Sequence, residues 1–465
     1  MKKEVVIMKV KLNCGKEFKI NLPDKTDVLS MKTPTPLADP LQSIHQSLEN
    51  PIKSEGLDNL IKRKIRDNKE SRAVVVISDN TRPVPYKGEA GILLPIIEKL
   101  LKNGVKKGNI IVLVATGTHR ALTKEELKEM IDPEVFELGI EIKNHDCNDQ
   151  DNLVYLGETS RKSMVYINKD YMQADIKILT GLVESHFMAG VSGGRKSVCP
   201  GLIGEKSTYV FHGAEILSSP KARDLFLDGN PCHEEALEVA QKAGVDFIVN
   251  VTLDHDFNVT GVFSGDLEEA HKAAMENVRE YVAIPVDKEY DIVATHAGFV
   301  GINHYQAAKV GVVSIPLLKA DSKLIVAADN IDDDTIGSIN YKTALYLLKR
   351  FGAEKFKKLI LSSDWGFIPE QWQVQMWGKL FSRIRQDNMI YYSPQFSQGD
   401  YQNIPGLNGN KYLPVSKQYK DDVNNIPLFI ENAVNKTIEQ FKKQGREEID
   451  IAYLIDGPYG VPIRK

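Results

Sequence analysis

A chain of 465 residues has room for two or three domains, each with its own core. With 42% apolar and 26% charged residues its composition is that of a soluble globular protein. A formal net charge of −4 excludes a global pull toward nucleic acid or an anionic membrane, so any anion site must be local. The N-terminal stretch MKKEVVIMKVKLNCGKEFKI is too short and too charge-broken in its apolar part for a signal peptide, and no later stretch nears the length of a transmembrane helix. A cytoplasmic protein is expected. AVVVIS (73–78) predicts a strand that runs directly into DNTRPVP, and EAGILLPIIEKLLKNG (89–104) predicts a helix. Strands are predicted again at NIIVLVATG (109–117), followed by THR, and at ADIKILTG (174–181), followed by LVESH. HEEALEVAQKAG (233–244) reads as a helix, DFIVNVTL (246–253) as a strand, and about 266–283 as a further helix. YDIVATHA (290–297), KLIVAAD (322–328) and IDIAYLI (449–455) complete the strands, with a helix over TALYLLKRFG (343–352).

Apolar strands separated by helix-length segments imply βαβ units and largely parallel sheets. The charged, proline-containing connector IPVDKEYD marks a boundary, giving two α/β domains over 1–283 and 284–465. The four cysteines (Cys14, Cys147, Cys199, Cys232) lie far apart without C-x-x-C pairing, against both a disulfide framework and a structural zinc site.

Polar clusters placed directly after strands carry the functional reading, because ligands of open parallel sheets bind beyond the carboxyl ends of the strands. Three such loops hold Asp79, Thr81, Arg82, Thr118, His119, Glu184 and His186. An arginine can fork a carboxylate, and two histidines past strand ends can exchange protons. Next comes GVSGGRKS (190–197), which misses the triphosphate-loop pattern because Arg195 stands where its second glycine belongs. Lys196 in that setting can instead carry a covalent cofactor. His212, in FHG, is a possible metal ligand, and without a surrounding histidine or carboxylate pattern it needs other ligands from a cofactor. Gln306 and Lys309, three apart on a predicted helix, project from one face and together suit a carboxylate; an exposed helix face is the simpler reading of that spacing.

The set SDNTRP, ATGTHR, SHFMAGVSGGRKSVCPG, FHG and YQAAK, in this order and spacing, resembles the nickel-pincer lactate racemase family. The resemblance implies two α/β domains enclosing an active-site cleft. It also implies a nickel-pincer nucleotide (pyridinium-3-thioamide-5-thiocarboxylic acid mononucleotide) joined to Lys196, with His212 as the protein ligand to nickel. By motif position His119 and His186 match the acid/base histidines. Asp79 and Thr81 match the cofactor loop, and Arg82, Gln306 and Lys309 match the substrate contacts. Trp372 sits near a family tryptophan, with Trp365 and Trp377 competing. The implied reaction is racemisation or epimerisation of a 2-hydroxy acid, lactate first, by hydride transfer from Cα to the cofactor and back while the histidines handle the hydroxyl proton. Cofactor-maturation enzymes are implied partners. Two other readings stand beside it: a cofactor-independent or zinc-dependent racemase or hydrolase using the same histidines, and a carrier of the nickel cofactor.

Overall fold

The computed structural model describes residues 7–65, 68 and 70–464. Along the chain, the strands of its two large sheets begin with β1 (Thr26–Leu29), β2 (Ala73–Ser78), β3 (Ile110–Ala115) and β4 (Glu141–Asn144). β5 (Ile176–Leu182), β6 (Phe247–Leu253), β7 (Val259–Gly265) and β8 (Tyr290–His296) follow. β9 (Leu318–Ala327), β10 (Met389–Tyr392), β11 (Leu407–Asn408) and β12 (Ile451–Leu454) complete them. Thr33–Tyr281 form one compact unit, and the chain up to Lys32 joins Val282 onward in the other.

In the unit Thr33–Tyr281 the strand order is β7-β6-β5-β2-β3-β4. Every pair is parallel except β6/β7. β2 lies in mid-sheet, and Val74, Val75, Val76 and Ile77 are all 0% exposed. A strand covered on both faces needs no polar alternation, which is why it reads as an unbroken β-branched run. The chain lays down β2, β3 and β4 outward, then returns to the other side of β2 for β5, β6 and β7. The order therefore reverses between β2 and β5, where neighbouring loops leave in opposite directions and open a crevice. Two helices of this unit matter below: α1 (Pro231–Ala243) and α2 (Glu269–Val282).

The second unit holds an all-parallel sheet ordered β11-β10-β9-β8-β12-β1, with α3 (His304–Val313) and α4 (Gln371–Arg383) among its helices. β1 pairs with β12, Thr26 opposite Ile451 and Leu29 opposite Leu454. This corrects the reading of 1–283 as one continuous domain. A four-residue strand satisfies its backbone groups only by joining a sheet, and the sheet that accepts β1 is built from the far end of the chain. The expected α/β architecture with largely parallel sheets is present, and each of the seven predicted strands has its counterpart. Among the described residues no helix is long and apolar enough to cross a membrane.

Candidate active site

The loops after β2, β3 and β5 meet at the reversal point of the first unit's sheet. After β2 the chain turns, Arg82 N–H donating to Asp79 C=O at 3.3 Å. Asp79 is buried (5% exposed) and its carboxylate is fully engaged. Oδ1 accepts from the Thr81 hydroxyl at 2.5 Å and from Thr81 N–H at 3.2 Å, while Oδ2 lies 2.7 Å from His119 Nδ1. Burial pushes the Asp79 carboxyl up, but the hydrogen bonds from His119 and Thr81 outweigh it and hold the group below its ordinary range. Asp79 is thus an anion that fixes the His119 ring, with the Nδ1 hydrogen on the carboxylate and the Nε2 lone pair outward.

After β5 the chain forms a two-residue hairpin, Ser185–His186 against Gly190–Val191, and then a 3₁₀ turn at Gly194–Ser197. His186 Nδ1 accepts from the N–H groups of Met188 and Ala189, each at 3.2 Å. Its Nε2 lies 3.3 Å from Lys196 Nζ, which also stands 5.2 Å above the Phe211 ring. Burial, with the Arg195 and Arg82 guanidiniums adding to it, pushes the Lys196 ammonium down to about 8. Arg82 itself pairs with Glu184, Nε to Oε1 at 3.2 Å.

Buried polar groups of the sheet hold the lysine turn in place. Ser197 donates to Thr180 C=O at 2.9 Å, Ser192 donates to Leu182 C=O at 2.7 Å, and Asn250 on β6 accepts from Gly194 N–H at 3.0 Å. Sequence reading passed over Asn250; an amide in the middle of the apolar run of β6 was its signal. The glycines here serve the chain's own packing. A Cβ on Gly190 would lie 2.3 Å from Phe226 C=O, and one on Gly194 would lie 2.6 Å from the His271 ring. Both have positive φ, +82° and +51°.

His212 caps the short helix Glu205–Phe211. Burial, then the charges of Lys196 and His119, hold its pKa at about 3, so it is a neutral imidazole within electrostatic reach of both. This suits a nickel ion bound by one protein nitrogen. Among the described residues no group of three or more His, Cys, Asp or Glu converges as a metal cage. The donor set therefore fits a metal whose other ligands arrive with an organic group, and it does not fit an all-protein zinc site.

Of the expected site residues, the structure gathers Asp79, Thr81, Arg82, His119, His186, Lys196 and His212 in the first unit. Gln306 and Lys309 lie in the second, half-buried on α3, whose N-cap Asn303 accepts from Gln306 N–H. Trp372 donates to the Tyr305 hydroxyl at 2.9 Å, beside Gln306. Trp377 is fully buried, stacked on His304 and donating to Tyr341, and belongs to the core.

Residues 15–224 match the lactate racemase N-terminal domain. The chain is 33% identical to the lactate racemase of Lactiplantibacillus plantarum over 73% of this chain and 77% of that one. It is 30% identical to the lactate racemase of Thermoanaerobacterium thermosaccharolyticum over 72% of this chain and 76% of the relative. In fold it is similar to the lactate racemase apoprotein of Thermoanaerobacterium thermosaccharolyticum, with a TM-score of 0.79 and 24% identity, covering 98% of this chain and all of that one. A Thermotoga maritima crystal structure is also similar, with a TM-score of 0.59 and 16% identity over 90% of this chain and 99% of that one.

Proposed function

This chain belongs to the lactate racemase family and is an isomerase, and from that premise we propose that it interconverts the enantiomers of a small 2-hydroxy acid, lactate first, with a nickel-pincer nucleotide joined to Lys196. The carrying observation is a pair of differently anchored histidines on strand-end loops of one sheet: His119 on Asp79, and His186 between two backbone N–H groups and Lys196 Nζ. A carrier of the cofactor would need the lysine and His212, but not two such histidines.

When bound, the group supplies a reversible acceptor for the Cα hydrogen. His119 Nε2 takes the hydroxyl proton as the substrate carbon becomes planar, and Asp79 stabilises the imidazolium that forms. His186 serves the hydroxyl of the opposite enantiomer, since that oxygen lies elsewhere once the carboxylate is fixed. Arg82 orients the substrate carboxylate, exchanging Glu184 for it. His212 would hold the nickel. Maturation enzymes would supply the cofactor.

The decisive experiment follows the Cα hydrogen. A Cα-deuterated substrate should invert in ordinary water with its label retained. Early product stripped of deuterium would indicate proton exchange through the histidines and overturn the reading.

A further inference from the structure

Arg195 precedes the tether lysine but turns away from it into the protein, where it is 1% exposed. Its Nη2 donates to Ala189 C=O at 2.7 Å and its Nη1 to Gly193 C=O at 3.4 Å, with His271 Nε2 2.8 Å from Nη1. Among the described residues Nε has no hydrogen-bond partner. Carbonyls and an imidazole satisfy hydrogens but carry no charge. No carboxylate among the described residues bears on the guanidinium; the ionisable groups that do are Cys232 and Cys199, and burial keeps the Cys199 thiol protonated. A buried guanidinium without an anion is a costly arrangement.

Its surroundings have further unmet capacity. His233 Nδ1 is buried without a partner among the described residues. His271 Nε2 lies 2.8 Å from both Arg195 Nη1 and Ser192 C=O, and one nitrogen cannot accept from the first while donating to the second. Burial and the Arg195 charge hold both imidazoles neutral. All three residues line a cavity of about 250 Å³. His233 lies in the first turn of α1, whose positive end adds to the local potential. The carboxylates in the lining, Asp228, Glu268, Glu269 and Glu276, are all exposed, so among apolar neighbours such as Leu225 and Met275 the buried wall offers Arg195 and His271 as its polar side chains.

We propose that this cavity is an anion site, in which Arg195 and His233 hold a small oxyanion, a monocarboxylate or an inorganic oxyanion, behind the lysine turn. Water would satisfy the open hydrogen-bond positions, but only an anion also compensates the guanidinium. The site lies wholly within the first unit and needs neither cofactor nor substrate.

The test uses the full chain. Crystals soaked in selenate should show its anomalous signal within hydrogen-bond distance of Arg195. Acetate and sulfate are titrated separately at constant ionic strength while thermal stability is followed. At least one should raise stability saturably, and which one does so tells carboxylate from inorganic oxyanion. Arg195→Met and His233→Leu should each weaken that binding about tenfold or more. If Arg195→Met does not fold, His233→Leu decides. The proposal fails if selenate and acetate soaks leave only water in the cavity, or if His233→Leu binds both anions as the parent does.

Discussion

His119 and His186 are one residue type, each placed just past a strand, and the chain fixes their rings in opposite ways. His119, with a side chain 59% exposed, gives its Nδ1 hydrogen to buried Asp79. His186, half-buried, receives two backbone hydrogens on Nδ1 and turns Nε2 toward Lys196 Nζ, 3.3 Å away. A carboxylate stabilises an imidazolium, whereas backbone N–H groups oppose one. The first ring is therefore a ready proton acceptor. The second lies against the lysine nitrogen and must exchange that partner before it can meet a substrate hydroxyl. Exposure does not set this difference; the partner of the inner nitrogen does.

The largest test removes what the second histidine faces. Lys196→Ala should abolish any cofactor adduct by intact-mass measurement and reduce racemase activity to background, with the fold unchanged by circular dichroism. Imidazole ¹⁵N shifts should then move for His186 and stay put for His119. In cofactor-free parent protein, amine-reactive labelling of Lys196 should show its inflection near pH 8, well below an ordinary lysine.

Removing either ring comes next. His119→Ala and His186→Ala should each lower kcat by about 10² to 10⁴, the usual worth of a positioned acid or base. An effect below tenfold in either would remove that histidine from the proton path.

Asp79→Asn separates the rings directly. The amide leaves His119 nearly in place but no longer stabilises its cation, so kcat should fall about a hundredfold or more while adduct mass is kept. The carboxyl of Asp79 lies below its ordinary range, so the stability it adds is fully present above the unfolded carboxyl pKa and is lost as pH falls through the folded one. Acid unfolding should accordingly be less steep in Asp79→Asn than in the parent. Thr81→Val is the mildest change. It removes one hydroxyl donor to Asp79 and should cost about 1 kcal/mol of stability, with a severalfold loss of activity at most.

The sequence by itself determined the strands and the loops that carry chemistry. Strands buried on both faces read as unbroken runs such as AVVVIS, and polar clusters stand directly behind them, so local pattern reported local burial. It also put Arg82, His119 and His186 on loops that follow three strands. Tertiary structure decided what those side chains meet. Arg195 and Lys196 look alike in GGRKS, yet one is sealed against His271 and the other stands beside His186. Gly190 and Gly194 beside them are required by the fold, since Phe226 and His271 occupy the space a side chain would need. β1 falls inside the stretch 1–283 read as one domain, yet it pairs with β12 from the other end of the chain. The ring orientation of His119 likewise waits on Asp79, forty residues earlier. Periodicity reports whether a residue is covered; which group covers it depends on chain segments that only folding brings together.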